Sequence, residues 1–318
     1  MVSSYIIAKP YKFVKNIFLI LAIYHKRLYN VYKYTICERG AVVKKIAVFP
    51  NYTKDNEYTY TKRLCDFLAD KAVVVMQEKD KIEGIIAEFT SGSVYEGVDA
   101  VIILGGDGTM LQAAEPCGKN SIPVMGINLG KVGFMTEVET SDMESALERL
   151  LCDDYTVEER MMMKVTVSGE SGRSSYIALN DAVISKPDAK MVAMELCANG
   201  EKVSEYMADG LIISTPTGST GYSLSAGGPV ADPAMEVFIA TPICAHTLSA
   251  RPMLMSEQKK ITLQLIENGS DTAIVTVDGE NKCIMNKSDI VTVEKSEYRL
   301  KIIKLGKQSF YHTMMAML

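Results

Sequence analysis

The residues best suited to do chemistry in this sequence are a carboxylate set among three glycines. The motif GGDGT, residues 105–109, follows an apolar run at 101–104 that has the character of a buried strand. Glycines lack Cβ, so backbone N–H groups there can approach an anion closely, and a helix that begins after the turn adds its positive N-terminus. The pattern therefore predicts phosphate binding at Gly105, Gly106, Gly108 and Thr109, with Thr109 either capping the helix or contacting phosphate.

Asp107 is the member of the motif that phosphate binding alone does not explain. Phosphate groups repel a carboxylate, so Asp107 needs another reason to be there: it could accept a proton from an attacking hydroxyl, or help to hold Mg²⁺. The alternative is a tight strand-to-helix turn with a solvated aspartate. The motif is neither a P-loop nor a dinucleotide fingerprint, because G-x-x-x-x-G-K-[ST] and G-x-G-x-x-G are both missing from the sequence.

A second polar cluster lies in residues 208–229, around the apolar stretch LIIS. Hydroxyl groups at this density favour a loop that hydrogen-bonds a polyhydroxy or phosphorylated ligand, the alternative being a Ser/Thr-rich surface loop. Asp209 suits a ribose diol, because a carboxylate can accept hydrogen bonds from two vicinal hydroxyls, and Tyr222 can stack on a base or on nicotinamide. The hydroxyl residues are Ser214, Thr215, Thr217, Ser219, Thr220, Ser223 and Ser225.

Alternating strands and helices are expected to position the GGDGT motif. Strands are predicted at 45–51, 72–77, 98–104 and 122–128, with helices at 58–71 and 109–118. This alternation predicts a parallel sheet, and ligands of such sheets bind beyond the carboxyl ends of the strands. After about residue 160 the predicted strands are short and punctuated by Gly, Asn and Asp, and Asp278-Gly279 signals a hairpin. The expected fold is an α/β N-terminal domain with a parallel, Rossmann-like sheet plus a mostly antiparallel β second domain.

Four segments are predicted along the chain. Residues 44–150 form the α/β domain, residues 151–296 the β-rich domain, and residues 297–318 a tail with a strand and then a helix. Residues 1–45 contain nine lysines and arginines and one acidic residue, and their apolar piece IFLILAIY is shorter than the roughly 20 residues of a membrane-spanning helix. We expect residues 1–43 to lie outside the folded domain, the alternative being a basic amphipathic segment on the surface.

Composition limits the classes of function. The chain has 318 residues, of which 47% are hydrophobic and 23% charged, as in ordinary soluble globular proteins. A net charge of -5 disfavours a nucleic-acid partner, and no membrane partner is expected. Seven cysteines without a Cys-x-x-Cys pair, and only three histidines, predict free thiols in a reducing cytoplasm and no dedicated metal site.

Five motifs, in this order, resemble those of NAD kinases of the bacterial type. They are GGDGT (105–109), GINLGKVGFMTE (126–137), ALNDAVI (178–184), DGLIISTPTGSTGYSLSAGGP (209–229) and TPICAHTLSARPM (241–253). The resemblance covers residues 45–318. GGDGT alone is shared with diacylglycerol, sphingosine and phosphofructokinases, whereas the long Ser/Thr motif is specific to NAD kinases.

The resemblance implies phosphoryl transfer from ATP to the 2′-hydroxyl of the adenosine ribose of NAD, with Asp107 as the general base. It implies that Asn180 and Asp181 hold the adenosine part of NAD and that Asp209 binds the nicotinamide ribose. Lys190 and Glu280 fall where the family has contact residues. The other residues implied to line the NAD pocket are Thr217, Ser219, Thr220, Gly221, Tyr222, Ser223, Leu224 and Ser225.

Two positions, His246 and Lys131, keep alternatives, and Met207 departs from the pattern of the family. His246 either contacts the substrate or is a structural hydrogen-bonding residue. Lys131 either reaches a phosphate as a point charge or belongs to a glycine-rich crossover into the second domain. Met207 stands where some members have Arg, so no phosphate contact is assigned to it.

NAD and ATP are the expected substrates, Mg²⁺ is expected to arrive with ATP, and the family suggests a homodimer or homotetramer. A GGDGT-type lipid or sugar kinase and a non-catalytic NAD(H)-binding sensor remain the alternative functions.

Overall fold

The part of the chain described here begins near the start of the first predicted strand. The computed structural model describes residues 43–130, 133–170, 172–247, 249–306 and 309–317. The predicted extension, residues 1–43, lies outside this part except for Val43, whose side chain is buried. Within the described ranges, no helix is long and apolar enough to cross a membrane.

The first domain is a parallel sheet with helices on both faces. Its strands are β1 (Lys45–Pro50), β2 (Val73–Gln77), β3 (Glu88–Thr90), β4 (Ala100–Gly105), β5 (Val124–Asn128) and β6 (Val138–Glu139). Its helices are α1 (Thr59–Leu68), α2 (Asp107–Lys119) and α3 (Met143–Leu151). The strands lie in the order β3-β2-β1-β4-β5, β6 also pairs with β5, and all of these pairings are parallel.

Alternate residues along these strands pack on opposite sides of the sheet. Ile102 and Leu104 of β4 belong to the apolar cluster that contains α1 and α3, whereas Val101 and Ile103 belong to the cluster that contains α2. Strands β4 and β5 are buried along their whole length, which accounts for their continuous apolar sequences. The burial of β4 fixes the point from which the GGDGT turn leaves the sheet.

The second domain consists of two antiparallel sheets. One contains β7 (Thr156–Gly169), β8 (Gly172–Ala178), β10 (Val192–Ala198), β11 (Glu201–Ala208), β15 (Ile261–Leu265) and β18 (Ile290–Lys304). The other contains β9 (Asp181–Ser185), β12 (Gly210–Ser214), β13 (Val237–Ile243), β14 (Met253–Ser256), β16 (Thr272–Val277) and β17 (Glu280–Asn286), in the order β14-β13-β12-β9-β16-β17. One apolar cluster with members from both sheets forms the core of this domain. The fold class predicted from the sequence is confirmed.

Strand β18 joins the two domains. Its first half pairs with β15 and β7, and after a register shift between Lys295 and Arg299 its second half continues along β7. Ile302 also pairs in parallel with Val124 of β5, so the strand extends the antiparallel sheet into the parallel one. The predicted boundary between residues 296 and 297 falls at this register shift.

Short helices complete the structure. Helix α4 (Tyr222–Ser225) lies in the Ser/Thr-rich segment, and helix α5 (Phe310–Met317) follows β18. One-turn 3-10 helices occupy Asn56–Tyr58, Glu78–Asp80, Thr140–Asp142 and Thr217–Thr220.

Candidate active site

Within the GGDGT turn, the Thr109 side chain packs directly against the backbone of Gly105. Gly105 ends β4, Gly106 is the N-cap of α2, and a Cβ on Gly105 would collide with the Thr109 side chain. The Thr109 hydroxyl accepts a hydrogen bond from Nδ2 of Asn51, at 2.8 Å. Thr109 is buried, and its side chain ties the end of β1 to the start of α2.

The Asp107 carboxylate is held by the loop that follows β5. Oδ2 accepts the amide of Phe134 at 2.8 Å, and Oδ1 accepts the amides of Met135 and Thr136 and the Thr136 hydroxyl at 3.1–3.2 Å. A Cβ on Gly133 would collide with this carboxylate, so glycine lets the loop come close. Asp107 is therefore not the solvated turn residue of the alternative interpretation. A carboxylate has about four acceptor positions, so Oδ2 keeps room for one more donor.

Lys54 is a cation that the sequence analysis missed. Its Nζ lies 3.0 Å from the position that a Cβ on Gly106 would occupy. The loop around it is anchored: the Lys54 amide donates to the Asn51 carbonyl, and buried Asp55 accepts the amides of Tyr60 and Thr61. An exposed ammonium group thus stands beside the N-terminus of the 13-residue helix α2.

Arg160 is a second cation that the sequence did not single out. Its side chain is 2% exposed, and Nε lies 2.5 Å from Oε1 of Glu158. Burial lowers the pKa of Arg160, while the carboxylates of Glu158, Asp107 and Asp232 oppose this shift. The Asp107 carboxylate is thus one of the charges that act on this buried guanidinium.

The hydroxyls of the Ser/Thr-rich segment mostly bond within the protein. Thr215 Oγ1 donates to the Leu179 carbonyl at 2.6 Å, Ser219 Oγ donates to the Pro216 carbonyl at 2.6 Å, and Ser223 Oγ lies 2.9 Å from Thr241 Oγ1. These three side chains are buried, as is that of Thr217. Their first role is to shape the loop. The more accessible members of the predicted set are Thr220, Gly221, Tyr222, Leu224 and Ser225.

Asn180 and Asp181 lie against this loop. The Asn180 carbonyl accepts the amide of Thr215 at 2.9 Å, and a Cβ on Gly218 would collide with it. A Cβ on Gly221 would be 3.7 Å from Nδ2 of Asn180 and 4.0 Å from Oδ2 of Asp181. Oδ1 of Asn180 is buried and has no hydrogen-bond partner among the described residues. The structure thus brings together the two predicted groups, 180–181 and 217–222.

Asp278 connects this pair to the hairpin between β16 and β17. Its carboxylate accepts the amides of Leu179, Asn180 and Asp181 at 2.7, 2.8 and 3.1 Å. Burial raises the pKa of Asp181 to about 7, with a further contribution from the Asp278 charge. Burial also raises the pKa of Asp278, although the three amides oppose it. The buried Asp181 carboxyl and the partly buried Asp278 carboxyl therefore share one corner of the site.

A cleft of about 330 Å³ lies between the GGDGT helix and this hairpin. Gly108 and Leu111 of α2 form one side, and Asp278, Gly279 and Glu280 form the other. Glu280 is exposed and pairs with Lys282 at 2.6 Å. Gly108 of the GGDGT motif and Asp278, whose carboxylate accepts the amides of residues 179–181, thus line a cleft between the two domains.

Three predicted residues lie elsewhere. Asp209 precedes β12 and pairs with Lys186 at 2.7 Å, whereas Asp181 pairs with Ser214 at the other end of that strand. Five residues of strand separate these ends by roughly 16 Å. His246 is exposed, and its amide donates to the Met207 carbonyl. Lys190 is also exposed, and Lys131 lies outside the described residues.

Metal ligands are not clustered in the described ranges of the chain. No group of three or more His, Cys, Asp or Glu side chains there could hold a metal ion.

The buried Asp181 should make stability depend on pH. Between about pH 4 and 7 the folded state keeps a proton that the unfolded state loses, so the free energy of unfolding falls as the pH rises. Asp181→Asn removes the titrating group, so its free energy of unfolding should lack this fall. The difference in unfolding free energy, variant minus wild type, should therefore rise by about 2–3 kcal/mol from pH 5 to pH 8. Urea denaturation at both pH values measures the difference. The exposed Asp66→Asn serves as the control, and an equal pH response in both variants would contradict the assignment.

Comparison with known proteins covers both domains. Residues 7–155 match the ATP-NAD kinase N-terminal domain and residues 179–305 the ATP-NAD kinase C-terminal domain. The NAD kinase of Heliobacterium modesticaldum is 43% identical over 270 residues, covering 84% of this chain and 95% of the relative. The NAD kinase of Lachnoclostridium phytofermentans is 38% identical over 278 residues, covering 85% of this chain and 97% of the relative.

Solved structures show the same architecture. A yeast NADH kinase complexed with NADH superposes with a TM-score of 0.76 at 19% identity, covering 85% of both chains. An NAD kinase from Archaeoglobus fulgidus in complex with ATP superposes with a TM-score of 0.66 at 28% identity, covering 86% of this chain and 97% of the other. The sequence matches to both domains, at up to 43% identity over most of the chain, show that this chain belongs to the NAD kinase family.

Proposed function

We propose that this protein transfers the γ-phosphoryl group of ATP to the 2′-hydroxyl of the adenosine ribose of NAD, forming NADP and ADP. The observation that carries the proposal is the Asp107 carboxylate, which is fixed by three amides and one hydroxyl while Oδ2 keeps an acceptor position. It directly precedes Gly108, which lines the cleft between the domains. Family membership and the ATP-bound archaeal relative support the two substrates.

The donor side of the site is the GGDGT turn. The amides at the start of α2 and the ammonium of Lys54 provide positive charge for the phosphates of ATP. Mg²⁺ enters as part of the Mg-ATP substrate, where it neutralises the charge of the β- and γ-phosphates. Gly105, Gly106, Gly108 and Thr109 shape the turn that receives them.

Asp107 acts as the general base. Oδ2 takes the proton of the 2′-hydroxyl, and the ribose oxygen forms a bond to the γ-phosphorus. At the same time the bond between the γ-phosphorus and the β–γ bridging oxygen breaks, and ADP leaves. The amides of residues 134–136 hold the carboxylate in one orientation, so no side-chain rearrangement is needed at the moment of transfer. Arg160 limits the repulsion between the carboxylate and the phosphates.

The acceptor side is the corner formed by Asn180, Asp181 and the loop at 217–225. Asn180 and Asp181 bind the adenosine ribose, and Tyr222, which is 49% exposed, is free to stack on a ring of NAD. Asp209 with Lys186, together with Lys190 and His246, serves the nicotinamide end, because Asp209 lies at the far end of β12.

The assembly is a homodimer or homotetramer. Strands β14 and β17 form the two edges of one antiparallel sheet, and Leu254 on β14 and Ile284 on β17 are 52% and 65% exposed. Exposed apolar edge strands are suited to pairing with another copy. The six cysteines of the described residues are free thiols, which agrees with a reducing cytoplasm.

Asp107→Asn tests the proposed chemistry. We expect NADP formation from NAD and Mg-ATP to fall by about 10²–10⁴ in kcat, because the base is lost while the pocket for NAD remains. A coupled NADP assay measures the rate, and titration calorimetry measures NAD binding. Thr136→Val removes only one donor to the carboxylate and should cost less than tenfold.

A variant with near wild-type turnover would show that Asp107 is not the base. A wild-type enzyme that binds NAD but forms no NADP under saturating Mg-ATP would instead indicate a sensor, and phosphorylation of a lipid or sugar in its place would indicate another GGDGT kinase.

Lys54→Met tests the donor side. Loss of a charge beside the phosphates should raise the KM for Mg-ATP by about tenfold and leave the KM for NAD nearly unchanged. Lys71→Met is the control. Lys71 bonds to Asp70 and to the Phe67 carbonyl, and it precedes the start of β2, whereas the GGDGT turn follows the end of β4. Equal effects of the two variants on both KM values would contradict this role for Lys54.

A further inference from the structure

The first residue of the turn Asp278-Gly279 is an aspartate, and hairpin geometry alone does not explain why. Both residues have positive φ, 47° and 80°, which is the conformation of a two-residue type I′ turn. Asn-Gly serves such a turn as well as Asp-Gly. The carboxylate, with its charge, must therefore have a further role at this position.

The carboxylate binds three consecutive amides where the chain passes from β8 into β9. The carboxylate accepts the amides of Leu179, Asn180 and Asp181 at 2.7–3.1 Å, and the Asp278 amide donates back to the Asp181 carbonyl at 3.0 Å. Three converging N–H groups need an acceptor with two oxygens, and a carboxamide offers only one. The segment is thus held from the hairpin side by a group that asparagine could not fully replace.

The same segment is held from the other side by the Ser/Thr-rich loop. Thr215 donates its hydroxyl to the Leu179 carbonyl and its amide to the Asn180 carbonyl. The backbone of 179–181 is therefore hydrogen-bonded from two sides, yet Oδ1 of Asn180 is buried without a partner in the described ranges. A rigid backbone that carries an unsatisfied buried acceptor is suited to receive a donor from a ligand, such as a ribose hydroxyl.

We propose that Asp278 is a positioning residue for the acceptor substrate: by holding the amides of residues 179–181 it orients Asn180 and Asp181 toward the ribose of NAD. This inference rests on the proposed function. Asp278 does not touch the substrate in this account. It acts through the peptide that bears the two contacting side chains.

The charges around the pair give the proposal a second observable. The groups that act on this corner are the two carboxyls themselves and Lys282 of β17. The three amide bonds favour the charged form of Asp278 against the effect of burial, whereas the Asp181 carboxylate accepts no amide from the described residues. The Asp278 charge adds to burial in raising the pKa of Asp181. Removal of the Asp278 charge therefore lowers the pKa of Asp181 from its value of about 7.

The test compares Asp278→Asn and Asp278→Ala with wild type in the intact enzyme. We expect the KM for NAD to rise about tenfold in Asp278→Asn and about 100-fold in Asp278→Ala, with the KM for Mg-ATP within about twofold of wild type. The pH dependence of the KM for NAD should move to lower pH in Asp278→Asn. NAD affinity from titration calorimetry should fall in parallel.

Asp289→Asn is the matched control. Asp289 is likewise an aspartate in a tight turn of this domain, where its side chain is buried and accepts the Asn286 amide at 2.7 Å, but it lies between β17 and β18. It should lower thermal stability without changing the KM for NAD. If Asp278→Ala fails to fold, Asp278→Asn retains a residue that the turn accepts and decides the matter.

The inference and the proposed function would be overturned by different results. An active wild-type enzyme whose Asp278→Asn variant keeps its KM for NAD and its pH profile would overturn the role of Asp278 alone. An equal loss for both substrates would also overturn it, because it would show a general loss of structure. A wild-type protein that forms no NADP would overturn the proposed function itself.

Discussion

The hydrogen bonds from the amides of residues 134–136 to the Asp107 carboxylate are the constraint on which the rest of the site depends. They hold the loop after β5 against the start of α2. This close approach requires glycine at residue 133, because a Cβ there would collide with the Asp107 carboxylate. Hydrogen bonds to a charged acceptor are stronger than neutral ones. These bonds fix the orientation of the carboxylate at the start of α2, and its charge acts on the buried Arg160.

The acceptor corner repeats this construction. Asp278 holds three consecutive amides, those of residues 179–181, as Asp107 holds those of 134–136. In each case a glycine, Gly133 or Gly218, lets a second stretch of chain approach. One carboxylate lies at the start of a helix in the α/β domain, and the other lies in a hairpin turn of the β domain. The two domains thus contribute the two sides of the cleft by the same kind of interaction.

The sequence predicted the elements that have strong local signals. The apolar runs predicted β1, β4 and β5, and the Asp278-Gly279 pair predicted the hairpin of β16 and β17. Strands β3 and β6 and helix α3 were not predicted. Strands β3 and β6 are only three and two residues long, too short for periodicity to show. Asp107, Asn180 and Asp181 came from motifs. Asp107 precedes Gly108, and the amides of Asn180 and Asp181 bond to Asp278; both Gly108 and Asp278 line the cleft. Asp209 and His246 lie toward the far end of β12.

The residues that the sequence missed depend on contacts that are distant along the chain. Asp278 was interpreted as a turn residue because its partners lie almost a hundred positions earlier. Lys54 has no motif of its own and gains its place only through the anchors at Asn51 and Asp55. The dense hydroxyls were interpreted as ligand contacts, yet burial directs Thr215, Ser219 and Ser223 into the protein.

A crystal structure with NAD and a non-hydrolysable ATP analogue would show directly whether Asp107 is placed to act as the general base. The distance between the 2′-oxygen of the adenosine ribose and Oδ2 of Asp107 is the quantity to measure. We expect this distance to be about 2.6–3.2 Å, with the amides of residues 134–136 still bound to the carboxylate. A 2′-oxygen beyond contact of Asp107, with no water between them, would contradict it.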